Sequence, residues 1–228
     1  MTPEAEPAVS RRPDAPHPTS LQLILTAERL FAIDGVAGVS LRAIATAAGS
    51  ANTSAVHYYF GSKAGLVQAI IAHRMPDLLQ RRSQLRAEID PRTLRDALEV
   101  HLRPVLELAD RPDTRYVSFL DQLGPSGIER RLVDALPAVT SSQRAFVADV
   151  ERAVTAVPRR ALRTRIDDVQ AFNLHAAASR ERASALGLPS APFSSFAGGL
   201  LDGFAGYLTA PVAARTGQRS VVTGPGTP

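Results

Sequence analysis

Apolar residues recur at three- and four-residue spacing along most of the chain, which is typical of amphipathic helices. No segment shows the alternation of apolar and polar positions, bounded by turn residues, that indicates strands. In the first helical segment the shared apolar face is formed by Leu23, Ile24, Ala27, Leu30 and Phe31. We therefore predict an all-α fold of about nine or ten helices.

Serine and glycine mark the ends of the short helices in the first third of the chain. Ser40 and Ser62 stand where the second and fourth helices begin, because a serine side chain can accept a bond from a free helix amide. The third helix is predicted over residues 53–59. Glycines stand where the first three helices end, at Gly35 and Gly38, at Gly49 and at Gly61.

Longer helices are predicted over the rest of the chain. Pro104 lies inside one of them, where it is expected to kink or break the helix. Residues 1–18 contain five prolines and few large apolar side chains, so we expect a disordered arm, and residues 213–228 form a flexible tail. The later helices are predicted at about residues 92–109, 114–123, 128–136, 138–157, 158–186 and 192–210.

The segment from Gly35 to Lys63 carries the clearest functional signal. Three short helices joined by glycine-containing turns within about thirty residues are typical of a helix-turn-helix, whose second helix enters the major groove. Thr53, Ser54 and His57 would share the outward face of that helix and can bond base edges or phosphates. Lys63, at the start of the fourth helix, would form an anion site with the helix amides.

Composition excludes several other classes. No apolar run reaches membrane-spanning length, residues 1–10 lack a signal-peptide pattern and cysteine is absent, so we expect a cytoplasmic protein with no membrane association. We also expect no metal, no cofactor and no enzyme activity, because metal-ligand spacings, a Gly-rich phosphate loop and a nucleophile elbow are missing.

Charge is weak evidence for a nucleic-acid partner. The net charge is +4, yet charged residues nearly balance within the predicted DNA-reading segment. An alternative therefore stays open: a small-molecule-binding or scaffold protein whose helix-turn-helix no longer binds DNA. The balanced set consists of Glu28, Arg29, Asp34, Arg42 and Lys63.

The residues from Ala27 to Leu66 closely resemble the N-terminal domain of TetR-family regulators. One departure is that the interval from Gly49 to Lys63 is one residue longer than the commonest family spacing, with the extra residue in the turn at 50–52, so the register of the first contacts stays open. The pattern reads Ala27-x-x-Leu30-Phe31-x-x-x-Gly35-x-x-x-x-Ser40-x-Arg42-x-Ile44-Ala45-x-x-Ala48-Gly49, then His57-Tyr58-Tyr59-Phe60-Gly61-Ser62-Lys63-x-x-Leu66.

This resemblance implies roles for particular residues in binding double-stranded DNA. Ser40 and Arg42 would contact DNA from the second helix, with Arg42 bonded to guanine through both ends of its guanidinium. Tyr59 and Lys63 would hold phosphates. The alternatives are that the tyrosines only pack and that His57 is only solvated. The residues expected to face the groove are Thr53, Ser54, Ala55, His57 and Tyr58.

The last helix carries a row of glycines beside its apolar face. Glycines destabilise a helix by about 1 kcal/mol each, so Gly199, Gly203 and Gly206 point to close approach of another helix. The resemblance implies a homodimer on a palindromic operator, with these glycines in the interface. The alternative is packing against the chain's own helices.

The resemblance also implies an effector pocket in the domain at 66–212, which follows the DNA-binding domain at 19–65. The effector is an unknown small molecule, and the expected function is a repressor released from its operator, although the sequence does not decide between repressor and activator. The candidate lining residues, each of which can also be ordinary core, are His101, Tyr116, Phe119, Phe172 and His175.

Overall fold

The computed structural model describes residues 18–50, 52, 54–123 and 136–212. The arm up to residue 17, the tail from 213 and, apart from Leu136, the predicted helix at 128–136 lie outside these residues. The described residues contain no strand, and the predicted all-α fold is confirmed. Their nine helices are α1 (Pro18–Gly38), α2 (Leu41–Ala47), α3 (Ala55–Phe60), α4 (Lys63–Ile89), α5 (Leu94–Leu108), α6 (Tyr116–Leu123), α7 (Pro137–Ala153), α8 (Arg159–Ala185) and α9 (Phe193–Thr209).

The predicted serine caps are confirmed. The Ser40 hydroxyl accepts a hydrogen bond from the Ala43 amide, and the Ser62 hydroxyl accepts one from the Gly65 amide, both at 3.0 Å. Gly35 interrupts α1 as expected, with a φ of 72° that a side chain rarely tolerates. These local signals fix where the short helices begin and end.

Pro104 does not interrupt its helix. The helix α5 is continuous from Leu94 to Leu108, so the expected break at this proline is not observed. Proline removes one backbone hydrogen bond and crowds the preceding turn. Since Pro104 and much of α5 around it are buried, tertiary packing offsets this cost.

One apolar core joins the first four helices to α6. It contains Phe31 of α1, Val56 of α3, Ile70 of α4 and Phe119 of α6, and the Phe31 and Phe119 rings stack with centroids 6.1 Å apart. Packing therefore runs continuously from the short helices into the larger domain across the predicted boundary at 65–66. Two further cores are built from α5, α7, α8 and α9 and from α5, α6, α8 and α9.

Candidate nucleic-acid interface

Helix α2 separates a buried face from an exposed one. Ile44 and Ala45 are fully buried against the core, whereas Ser40 and Arg42 are exposed. The Arg42 side chain makes no hydrogen bond or ion pair within the part of the chain that the structure describes. Its guanidinium is thus free to meet an external acceptor.

The longer turn between α2 and α3 is organised by Asn52. Its side-chain oxygen accepts a hydrogen bond from the Ser54 amide at 2.9 Å, and its carbonyl accepts bonds from the Ser50 hydroxyl at 2.9 Å and the Ala55 amide at 3.0 Å. An asparagine side chain can mimic a backbone turn in this way. Helix α3 begins at Ala55 rather than at the predicted residue 53.

Helix α3 presents two of the predicted contact residues to solvent. His57 is exposed, and 81% of Tyr58 is exposed, with its ring edge-on to Tyr59 at 5.0 Å. Ser54 is exposed at the start of the helix. The exposed residues of α3 combine hydroxyl and imidazole groups, which can bond base edges and phosphates.

Two other predicted contacts differ from this pattern. Ala55 is buried in the core, which corrects the expectation that it faces the groove, because the first turn of α3 packs its small side chain inward. Tyr59 is half-buried and packs against the same core. Thr53 lies outside the described residues.

Lys63 occupies a more enclosed position than the sequence suggests. Its Nζ atom donates a hydrogen bond to the Val36 carbonyl at 2.8 Å and so ties the start of α4 to the end of α1. An ammonium group has three donors, so this bond leaves two of them for a phosphate.

Gly65 is a site residue that sequence reasoning missed. A Cβ atom at this position would lie 2.1 Å from the Phe60 carbonyl oxygen, far inside contact distance. Only glycine therefore allows α4 to approach the end of α3 this closely. The signal was a glycine in the first turn of a long helix, where it is otherwise costly.

Glu28 and Arg74 form a second missed feature behind the short helices. The Arg74 Nε donates to Glu28 Oε2 at 2.7 Å and its Nη2 donates to Oε1 at 3.0 Å, and Glu28 is only 2% exposed. Because Glu28 belongs to α1 and Arg74 to α4, this pair fixes the helices that flank α2 and α3.

The five expected pocket residues do not come together. Tyr116 and Phe119 are both buried in the first core, with ring centroids 6.1 Å apart. Phe172 is 58% exposed on α8 against Phe204 of α9, and exposed His175 lies 3.3 Å from an Asp121 carboxylate oxygen. This corrects the expectation of one pocket, because α8 turns the faces at 172 and 175 to solvent.

His101 instead joins a polar cluster between α4, α5 and α7. Its Nε2 lies 2.8 Å from Asp149 Oδ2, and its Nδ1 is buried without a partner among the described residues. Burial lowers the pKa of His101 to about 4, although the hydrogen bond to the Asp149 carboxylate opposes this shift. The imidazole is therefore neutral at pH 7.

Arg82 adds a positive charge to this cluster and has no carboxylate partner among the described residues. Its guanidinium donates to the His101 carbonyl at 3.1 and 3.3 Å and to the Ser142 hydroxyl. Burial lowers the pKa of Arg82 to about 10. No carboxylate of the described residues forms an ion pair with Arg82, although Asp149 pairs with Arg86 nearby.

The glycine row of α9 faces open space. Gly199, Gly203 and Gly206 are exposed, and an added Cβ would meet nothing within 4 Å at any of them. Exposed Tyr207 lies beside them and donates a hydrogen bond to Asp168 of α8 at 2.7 Å. Packing against the chain's own described helices therefore does not explain these glycines.

Every helix among the described residues is too short or too polar to span a bilayer.

Comparison with known proteins finds a family match in the N-terminal region. The sequence model described as "Bacterial regulatory proteins, tetR family" matches residues 23–70. Two regulators of Pseudomonas putida are each 39% identical over 85 residues, which span 36% of this chain and 40% of theirs: the HTH-type transcriptional regulator TtgR and the probable HTH-type transcriptional regulator ArpR. The match thus spans well under half the length of these relatives.

Solved structures share the fold over most of the chain. The fatty acid degradation regulator FadR from Bacillus halodurans has a TM-score of 0.54 at 12% identity and covers 84% of this chain and 96% of its own. A TetR transcription regulator from Haloarcula marismortui ATCC 43049 has a TM-score of 0.51 at 19% identity, with 83% of this chain and 96% of its own covered. At these identities the likeness establishes the arrangement of helices.

Proposed function

We propose that this chain is a TetR-family regulator that binds DNA sequence-specifically and controls transcription. One observation carries the proposal: α2 and α3 expose Arg42, His57 and Tyr58, and the side chains of the first two have no hydrogen-bond or ion-pair partner in the described chain. Groups of this kind on a helix-turn-helix are suited to bond the edges and phosphates of DNA.

Two classes of contact follow from this arrangement. Arg42 contacts guanine in the major groove with both ends of its guanidinium, and Ser54, His57 and Tyr58 contact the groove from α3. Ser40, Tyr59 and Lys63 hold the backbone phosphates. Thr53 stays in the proposal from its sequence position alone.

The working form is a homodimer built on α8 and α9. The open row at Gly199, Gly203 and Gly206 lets a second helix approach closely, and the exposed aromatic rings of Phe172 and Tyr207 provide apolar area on the same two helices. A two-fold dimer would place two copies of α3 about 34 Å apart, which matches successive major grooves of a palindromic operator.

A small-molecule effector releases the protein from its operator and makes it a repressor. Helix α4 supports this mechanism because it runs from Lys63 beside the DNA-reading helices to Arg82 and Arg86 in the interior polar cluster with His101. An effector that preferred a different position of α4 would shift the dimer away from the spacing that fits DNA.

The test is fluorescence anisotropy with duplexes from the DNA upstream of the protein's own coding sequence and with random duplex, across a salt series. We expect binding to the specific duplex to be about a thousandfold tighter or more, with affinity falling steeply as salt rises. Equal, weak binding to both, and to every duplex recovered by selection from random DNA, would contradict the proposal. That result would favour a protein that binds small molecules but no longer binds DNA.

A further inference from the structure

The N-terminus of α6 is held by side chains from two distant helices. The first amides of any helix lack partners within the helix and need acceptors from elsewhere. In α6, the Tyr116 amide donates to the Thr114 hydroxyl oxygen at 2.9 Å. The neighbouring amides of Arg115 and Ser118 donate to buried carboxylates that belong to α1 and α8.

The carboxylate from α1 is Glu28. Besides the ion pair with Arg74, its Oε1 accepts hydrogen bonds from the Thr114 hydroxyl at 2.9 Å and from the Arg115 amide at 3.0 Å. Four donors from α4 and the start of α6 therefore surround one carboxylate of the DNA-binding domain. Such a group has few alternative positions, because moving it would break several bonds at once.

The carboxylate from α8 is Glu181, which is 1% exposed. Its Oε2 accepts a hydrogen bond from the Ser118 amide at 2.9 Å, while its Oε1 has no partner among the described residues. Burial raises the pKa of Glu181, in opposition to the hydrogen bonds from Ser118 and Val117. Because one of its oxygens has no partner, this buried carboxyl stabilises the fold less than a fully hydrogen-bonded one would.

We propose that Glu28 and Glu181 are positioning residues that hold α6 between the DNA-binding domain and α8. They thereby set the distance between the two α3 helices of the dimer. The inference rests on the proposed function. Apolar contacts such as the stacking of Phe31 on Phe119 hold α6 against α1 but do not fix the orientation of α6. The hydrogen bonds to Glu28 and Glu181 fix the orientation of α6, because an amide hydrogen bond forms only over a narrow range of angles.

Glu181 offers the cleaner test, because removal of Glu28 would leave the mostly buried Arg74 without its carboxylate partner. The experiment uses the full chain, which lacks cysteine, with Thr46→Cys on the exposed side of α2 as a single spin-label site. Pulsed electron spin resonance measures the distance distribution between the two labels of a dimer. Glu181→Ala removes the acceptor of the Ser118 amide, Glu181→Gln keeps one, and Asp167→Ala changes an exposed carboxylate on the same helix as a control.

We expect Glu181→Ala to broaden or shift this distribution, and Glu181→Gln and Asp167→Ala to leave it as in the parent. The same Glu181→Ala change should reduce the preference for the best half-site spacing over operators lengthened by one or two base pairs, by about threefold or more. An unchanged distribution and spacing preference in Glu181→Ala would overturn the inference alone. A parent protein with no inter-label distance and no specific DNA binding would overturn the proposed function as well.

Discussion

The helix-turn-helix face and the interior of the larger domain treat polar side chains in opposite ways. On the face, the exposed side chains of Arg42 and His57 have no partner in the described chain. In the larger domain, arginines pair with carboxylates far away in the sequence, as Arg81 does with Glu107 at 2.7 Å and Arg180 does with Asp110. Water solvates an exposed polar group at no cost, whereas a buried one needs a bond. Polar groups in the interior therefore contribute to the fold, and those on the face remain available for a ligand.

Glu28, which is buried between the DNA-binding domain and the larger domain, provides the largest expected effect. Glu28→Ala leaves Arg74, whose side chain is only 10% exposed, without its acid, so the free energy of unfolding should fall by about 3–5 kcal/mol. Asp113→Ala is the matched control, since Asp113 and Arg111 are both exposed and such a pair contributes about 0–1 kcal/mol. Denaturant unfolding measures both. Equal small losses would mean that burial does not distinguish the two pairs.

The interior cluster also predicts a pH dependence. Burial lowers the pKa of His101 to about 4, while in the unfolded chain it protonates near its ordinary value of 6.5. Between these pH values the unfolded chain binds a proton that the folded chain does not, so stability falls as the pH falls, by about 3 kcal/mol in all.

His101→Gln removes this titration and should flatten the decline between pH 6.5 and pH 4. Denaturant midpoints of the parent and of the variant across that range measure the difference. Parallel pH profiles for the two proteins would show that His101 is not the group responsible.

Gly65 lies in the first turn of α4, where the helix-turn-helix meets the larger domain. The Cβ of Gly65→Ala would collide with the Phe60 carbonyl oxygen, so α3 must shift, at a cost of about 1–3 kcal/mol in stability. We also expect weaker operator binding, because α3 carries His57 and Tyr58. Gly198→Ala is the control, since an added Cβ there meets nothing within 4 Å. Unfolding and DNA titrations that do not separate the two variants would contradict the close approach of α3 and α4.

The short helices could be predicted from the sequence because their signals are local. Ser40 and Ser62 cap the amides three residues ahead, and Gly35 adopts a backbone conformation that favours glycine. Periodicity likewise predicted α8 and α9 to within a residue or two. These features depend on side chains a few positions apart, which the sequence displays directly.

The interior could not be predicted because its partners are far apart in sequence. Glu28 stands next to Arg29 and could equally be a solvated acid, yet its bonds reach 46 residues to Arg74 and 86 residues to Thr114. The five expected pocket residues do not come together for a related reason. The sequence shows an aromatic side chain at Phe172 but not which face of α8 packs against other helices. Only the folded chain shows which polar groups have partners, both on the helix-turn-helix face and in the interior.

Arg42 tests the central claim most directly, with Arg92 of the larger domain as its exposed, ion-paired counterpart. Fluorescence anisotropy would compare the parent, Arg42→Ala and Arg92→Ala on a selected operator and on random duplex at one salt concentration. We predict that Arg42→Ala loses about 1–3 kcal/mol on the operator and far less on random DNA, and that Arg92→Ala changes neither. Equal losses on both duplexes for Arg42→Ala, or no loss on either, would contradict the claim that this face reads DNA sequence.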